Sequence, residues 1–128
     1  MVTLPIIVIS RGDIDVYDSV EEAALSMESI DVLEGEYVVF DSQGYLLELY
    51  VDDLYKPRGP KWLRWFLGVP IGPVEIRGRK EAEPREGELR SRIIEYLTTL
   101  QKLGIVRAEL DWLSTASLSE LINAVRDP

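Results

Sequence analysis

Two runs rich in β-branched and aromatic residues flank a four-residue polar break within residues 36–51. Asp41 suits the first position of a type I turn, because its carboxylate can accept hydrogen bonds from the backbone amides that follow. Gly44 suits the last position, where φ is often positive and a Cβ would be penalised. The pattern therefore predicts a β-hairpin, whose apolar face must be covered by the rest of the chain.

The segments before this hairpin predict two strands and a short helix. The continuous apolar run at residues 4–10 predicts a strand buried on both faces. We do not interpret it as a signal peptide, because no basic region precedes it. Residues 13–18 alternate acidic and apolar positions, as a half-buried or edge strand does. Ser19 and Glu22 then form a capping-box pattern, which predicts the start of a helix with an apolar face.

The second half of the chain predicts two helices and one short strand. Apolar residues recur at three- and four-residue steps in residues 88–103, and Gly104 is placed to end that helix. Ser117 and Glu120 form a second capping-box pattern ahead of another apolar stripe. Residues 74–77 predict a short edge strand, because prolines lie close by.

This order of elements predicts a single α+β domain over residues 1–128, with a mostly antiparallel sheet and helices packed on one face. Cysteine and histidine are both absent. Their absence removes thiolate nucleophiles, zinc–thiolate sites and the commonest general base. The chain also lacks a phosphate-binding glycine loop and a nucleophile-elbow motif. We therefore expect a protein that is not an enzyme and that uses no cofactor or metal.

The net charge of −9 is distributed unevenly along the chain. Residues 1–55 carry 13 acidic residues and one basic residue, whereas residues 56–80 carry seven basic residues and one acidic residue. Phosphates would be repelled by the first of these segments, so we expect no nucleic-acid partner, whereas a basic protein would be attracted. The same charge could also serve only to keep the protein in solution.

Two acidic motifs allow a metal interpretation. Asp13, Asp15 and Asp18 resemble the start of a calcium loop, but the register places Asp18 where glycine is required and Ala24 where a bidentate glutamate is required. Asp52 and Asp53 could together bind a divalent ion, as the carboxylates of a metal-dependent hydrolase do. Adjacent residues on a strand point to opposite faces, however, so pairing with nearby cations is the simpler interpretation.

Basic residues alternate with aromatic residues in the segment 56–80, which contains Trp62, Trp65 and Phe66. Such a mixture can form a platform for single-stranded nucleic acid, but tryptophans beside arginine and lysine more often cap a core. They can also anchor a protein interface, where tryptophan and arginine concentrate. This segment therefore supports an alternative function, a general adaptor module that uses an exposed Trp/Phe patch.

The front half of the chain resembles a known class of proteins. Residues 15–24, 30–32 and 35–44 are similar to small acidic bacterial immunity proteins encoded beside polymorphic toxins, including those of contact-dependent growth inhibition systems. The resemblance covers about residues 13–51. It implies a cytoplasmic protein that binds a cognate toxin and occupies or occludes its active site.

Charge complementarity agrees with that implication. Toxins that cut nucleic acid carry basic clefts, which an acidic surface can occupy after long-range attraction. The second predicted strand, the first predicted helix and the connector after it supply the acidic residues that we expect at the interface. They are Asp13, Asp15, Asp18, Glu21, Glu22, Asp31 and Glu34. We expect no membrane partner, because the other uncharged stretches are too short to span a bilayer.

Overall fold

The computed structural model describes residues 2–51, 74–105 and 112–126. Two strands, two helices, three strands and two helices follow one another in the described residues, and every strand pairing among them is antiparallel. The elements are β1 (Ile6–Ser10), β2 (Asp13–Tyr17), α1 (Val20–Ser26), α2 (Ser29–Leu33), β3 (Tyr37–Phe40), β4 (Leu47–Val51), β5 (Val74–Arg79), α3 (Glu86–Lys102) and α4 (Leu118–Arg126). The predicted α+β fold is confirmed.

Strand β1 lies at the centre of a three-stranded sheet with the order β2-β1-β3. Its apolar run is buried on both faces, as the sequence predicts, because successive side chains point to opposite sides of a strand. Ile7 and Ile9 pack with α3 and α4, whereas Ile6 and Val8 pack with α1. The helices therefore cover both faces of this sheet, and not one face as the sequence predicts.

The hairpin predicted for residues 36–51 forms its turn but not its ladder. The Gly44 amide donates to the Asp41 carbonyl over 3.1 Å, and φ of Gly44 is +91°, as expected for this turn. After a single bridge between Phe40 and Leu46, however, the two strands separate. Strand β3 pairs with β1, and β4 pairs with β5 in a second, two-stranded sheet. The prediction of a paired hairpin is therefore wrong beyond that bridge.

Both capping signals occur where the sequence places them. Ser19 Oγ accepts from the Glu22 amide at the start of α1. At α4, Ser117 Oγ accepts from the Glu120 amide, while the Glu120 carboxylate accepts from the Ser117 amide, each over 3.1 Å. Helix α3 ends at a left-handed Gly104, whose amide donates to the Gln101 carbonyl. These local hydrogen bonds determine where α1 and α4 begin and where α3 ends.

Several sequence predictions lie outside the described residues. The block containing Trp62, Trp65 and Phe66 lies in the segment 52–73, which is outside the described residues, and so do Asp52 and Asp53. Within the described ranges, no helix combines the length and the apolar character that a bilayer crossing requires.

Candidate protein-binding surface

Residues 13–22, which comprise β2 and the first turn of α1, form an acidic edge. Strand β2 is an outer strand of the three-stranded sheet. Ile14 and Val16 pack with the core on the side of α3 and α4, and Asp13 and Asp15 alternate with them along the strand. Both carboxylates are exposed, as the alternating sequence predicts.

Glu21 and Glu22 continue the acidic edge onto α1. Both are exposed in the first turn, where the partial positive charge of a helix N-terminus favours carboxylates. Ala23 is buried against the sheet and holds the helix over β1 and β2. Within the described residues, no ion pair involves Asp13, Asp15, Glu21 or Glu22. Their negative charge is therefore available to a partner.

Asp18 differs from its neighbours in the acidic edge, because it forms an ion pair with Arg126 at the end of α4. Its side chain is nevertheless exposed. The pair joins the loop between β2 and α1 to the last described helix, so the negative charge of Asp18 is partly compensated by an arginine of the same chain. We therefore treat Asp18 as a weaker candidate contact than the other carboxylates of the edge.

Asp31 and Glu34 form a second acidic group at one end of the sheet. Carboxylate oxygens of these residues and Glu36 all lie within 4.8 Å of one another. Arg11, in the turn between β1 and β2, donates to Glu36 over 2.7 Å, and this hydrogen bond raises the pKa of Arg11. Such a cluster has the donor chemistry of a cation site. The arginine already supplies a positive charge there, so the cluster alone does not indicate a metal centre.

The two acidic groups lie near each other across the end of the sheet. Asp13 is paired with Ser10 on one side of β1, and Ser10 is paired with Tyr37, the residue after Glu36, on the other side. Two strand spacings separate those positions by about 10 Å. The contact between Arg11 and Glu36 could not be predicted from the sequence, because it depends on β1 pairing with β3.

The acidic edge also acts on the neighbouring helix. Burial raises the pKa of Tyr96 in α3 above its ordinary value, and the charges of Asp15 and Asp13 raise it further. A cavity of about 290 Å³ lies between α3 and the β1–β2 turn, with Tyr96, Asp13 and Arg11 in its wall. Its charged groups are of both signs, which suits the rim of a polar interface.

Comparisons of the chain with protein-family models, with curated proteins and with solved structures gave no match. The residues and geometry of this chain are therefore the basis for inferring its function.

Proposed function

We propose that this chain is a non-catalytic immunity protein that binds and neutralises a cognate toxin in the bacterial cytoplasm. The toxin is a basic, nuclease-type protein, and the acidic edge is the surface that meets its cleft. The observation that carries the proposal is the exposure, in one continuous segment, of four carboxylates with no ion pair to another described residue, Asp13, Asp15, Glu21 and Glu22. The similarity of residues 13–51 to acidic immunity proteins supports the same function.

The electrostatic part of this proposal makes a kinetic prediction. Complementary charge accelerates the encounter of two proteins, which can reach about 10⁸ M⁻¹s⁻¹ or more at low salt. Salt screens charges that lie farther apart than about 8–10 Å, so the acceleration falls as ionic strength rises. An immunity protein benefits from this speed, because the toxin must be captured before it acts.

The acidic edge also has a purely structural explanation. Charged side chains on an outer strand prevent other chains from pairing with it. If Asp13 and Asp15 served only that purpose, their neutralisation would cause self-association and would leave partner binding unchanged. The two explanations therefore predict different results for the same variant.

The test compares two variants that each lose four negative charges. The first neutralises the acidic edge through Asp13→Asn, Asp15→Asn, Glu21→Gln and Glu22→Gln. The matched control neutralises exposed carboxylates outside the acidic edge, through Glu48→Gln, Glu75→Gln, Glu83→Gln and Glu86→Gln. Surface substitutions of this kind usually change stability by less than about 0.5 kcal/mol each, so both variants should fold.

If the gene immediately upstream encodes a large secreted protein with a variable C-terminal domain, that domain is the toxin to test, produced with a catalytic-site substitution for binding studies; an upstream gene of any other kind would count against the proposal. We expect the acidic-edge variant to associate at least about tenfold more slowly than the control at low salt and to lose its salt dependence. Co-production of the wild-type chain should restore the growth of cells that make the active toxin domain. Equal association rates for the two variants, or no protection by the wild-type chain, would contradict the proposal.

A further inference from the structure

The cavity of about 290 Å³ beside the acidic edge lies between the turn that joins β1 to β2 and the C-terminal half of α3. Its volume is just below the range of about 300–1,000 Å³ that is typical of pockets for small molecules, so it suits a single side chain. Leu103 lines its mouth and is 68% exposed, so apolar surface is accessible there. The other apolar residues of the wall are Ile9, Ile14 and Leu100.

Four charged side chains line the cavity, and the two arginines among them already have partners. Arg11 donates to Glu36 over 2.7 Å, and Arg92 donates to Glu88 over 3.2 Å. Neither of these glutamates is among the described residues that line the cavity. Each arginine is therefore compensated by a carboxylate from outside the lining.

The two carboxylates of the lining are Asp13 and Glu95, and neither has an ion pair with another described residue. Asp15 is exposed two positions further along β2 and likewise has no such pair. With Glu36 and Glu88 included, five carboxylates accompany the two arginines, which makes the net charge of this group negative. A cation is therefore attracted to the cavity and an anion is repelled.

Tyr96 adds an aromatic surface to this negative site. Its side chain lines the cavity and packs against the core cluster, which holds the ring in place. Burial raises the pKa of Tyr96, and the charges of Asp15 and Asp13 raise it further, so both carboxylates lie near the phenol. A cation over the face of a tyrosine ring is attracted by the negative charge of that face. The cavity thus combines an aromatic ring, unpaired carboxylates and apolar walls.

We propose that this cavity binds one arginine side chain of the toxin. The guanidinium group lies against Tyr96 and donates to Asp13 and Glu95, and its aliphatic stem contacts the apolar side chains at the mouth. Arginine fits better than lysine, because its planar group stacks on aromatic rings, donates to two carboxylates at once and is weakly hydrated. The inference rests on the proposed function, because the arginine belongs to the toxin that the acidic edge attracts.

The first part of the test uses capped amino acids as probes and does not need the toxin. Acetylated methylamides of arginine, lysine, citrulline and glutamate are titrated into isotopically labelled protein at constant ionic strength, and amide chemical shifts are followed. We expect arginine to shift the amides around the cavity. Citrulline has nearly the same shape without the charge and should bind at least about tenfold more weakly. Lysine should also bind more weakly than arginine, and glutamate should not shift these amides.

The second part measures dissociation of the toxin domain from variants of the cavity. Glu95→Gln neutralises one carboxylate, and Tyr96→Leu removes the aromatic ring. Each should raise the dissociation rate constant at least about fivefold, because a contact that is desolvated in the complex acts mainly on dissociation. The matched control is Glu86→Gln, an equal charge change at an exposed position about 13 Å away along α3, and it should leave dissociation unchanged.

The outcomes separate this inference from the proposed function. If the toxin domain binds, Glu95→Gln leaves its dissociation unchanged and arginine shifts no amide near the cavity, the arginine site is overturned and the immunity function stands. Binding of the arginine probe without binding of the toxin domain would support an arginine site and overturn the toxin as its source. Tighter binding of glutamate, or equal binding of lysine or citrulline, would also overturn the inference. If Tyr96→Leu does not fold, Glu95→Gln and the four probes still decide between these results.

Discussion

Replacement of Asp41 is the most informative test of how the two sheets are held together. Its carboxylate is completely buried, and it accepts from the amides of Thr3, Gln43 and Tyr45 over 3.3, 3.0 and 3.0 Å. The Nε of Arg79 lies 3.8 Å from the same group. One side chain therefore connects the N-terminal segment, the turn between β3 and β4, and the end of β5.

The expected cost follows from these bonds. A hydrogen bond to a charged group contributes about 1.5–3 kcal/mol, so three bonds amount to at least about 4–5 kcal/mol. Water can reach some of the released amides, because the three donors are only partly buried. We therefore expect Asp41→Ala to lower the free energy of unfolding by about 3 kcal/mol. Asp41→Asn keeps the oxygen that binds Gln43 and Tyr45, so it should cost about 1–1.5 kcal/mol.

Urea denaturation followed by circular dichroism measures both values. With a slope of about 1–3 kcal/mol/M, the alanine variant should unfold at a midpoint lower by about 1–3 M. Asp13→Ala removes an exposed carboxylate of the same kind and should change stability by less than about 0.5 kcal/mol. Equal costs for the alanine and asparagine variants would refute the reasoning, because they would show that the retained oxygen contributes nothing.

Three further predictions test the turn, a helix cap and the electrostatics of the acidic edge. Gly44 and Gly12 both have φ near +90°, but a Cβ on Gly44 would lie 2.9 Å from backbone of α3, whereas one on Gly12 meets nothing within 4 Å. Thermal unfolding should show a cost of about 1–2 kcal/mol for Gly12→Ala and a clearly larger one for Gly44→Ala; equal costs would contradict the close contact. The backbone amide at the N-cap lowers the pKa of Glu120, so its stabilising effect is present above the unfolded pKa of about 4.3 and is lost as the pH falls through the folded pKa. Urea denaturation should therefore show that Glu120→Gln is less stable than wild type at pH 6 and equally stable in acid. A stability difference that does not change with pH would contradict this role of the Glu120 carboxylate. Finally, Asp15→Asn should lower the raised pKa of Tyr96 without restoring its ordinary value, because burial remains the larger cause; ultraviolet difference titration against Tyr96→Phe measures it, and an unchanged pKa would place Asp15 too far away.

The elements that the sequence predicts well are those whose signals are local. The capping residues of α4 lie three positions apart, and the buried run of β1 is continuous, so neither depends on the rest of the fold. The turn at Asp41 is equally local. Pairing of the strands that flank it is not, because Ile7 is the partner of Phe40, and β4 pairs with a strand from beyond residue 73. The same turn is compatible with a hairpin and with two diverging strands.

The candidate surface divides in the same way. Exposure of Asp13 and Asp15 follows from the two-residue period of a strand whose other face is apolar. The ion pair of Asp18 could not be predicted, because its partner Arg126 is 108 positions away in the sequence. The cluster around Glu36 depends on two loops that meet at the end of the sheet. Periodicity therefore gives the direction of a side chain, whereas its neighbours require the topology.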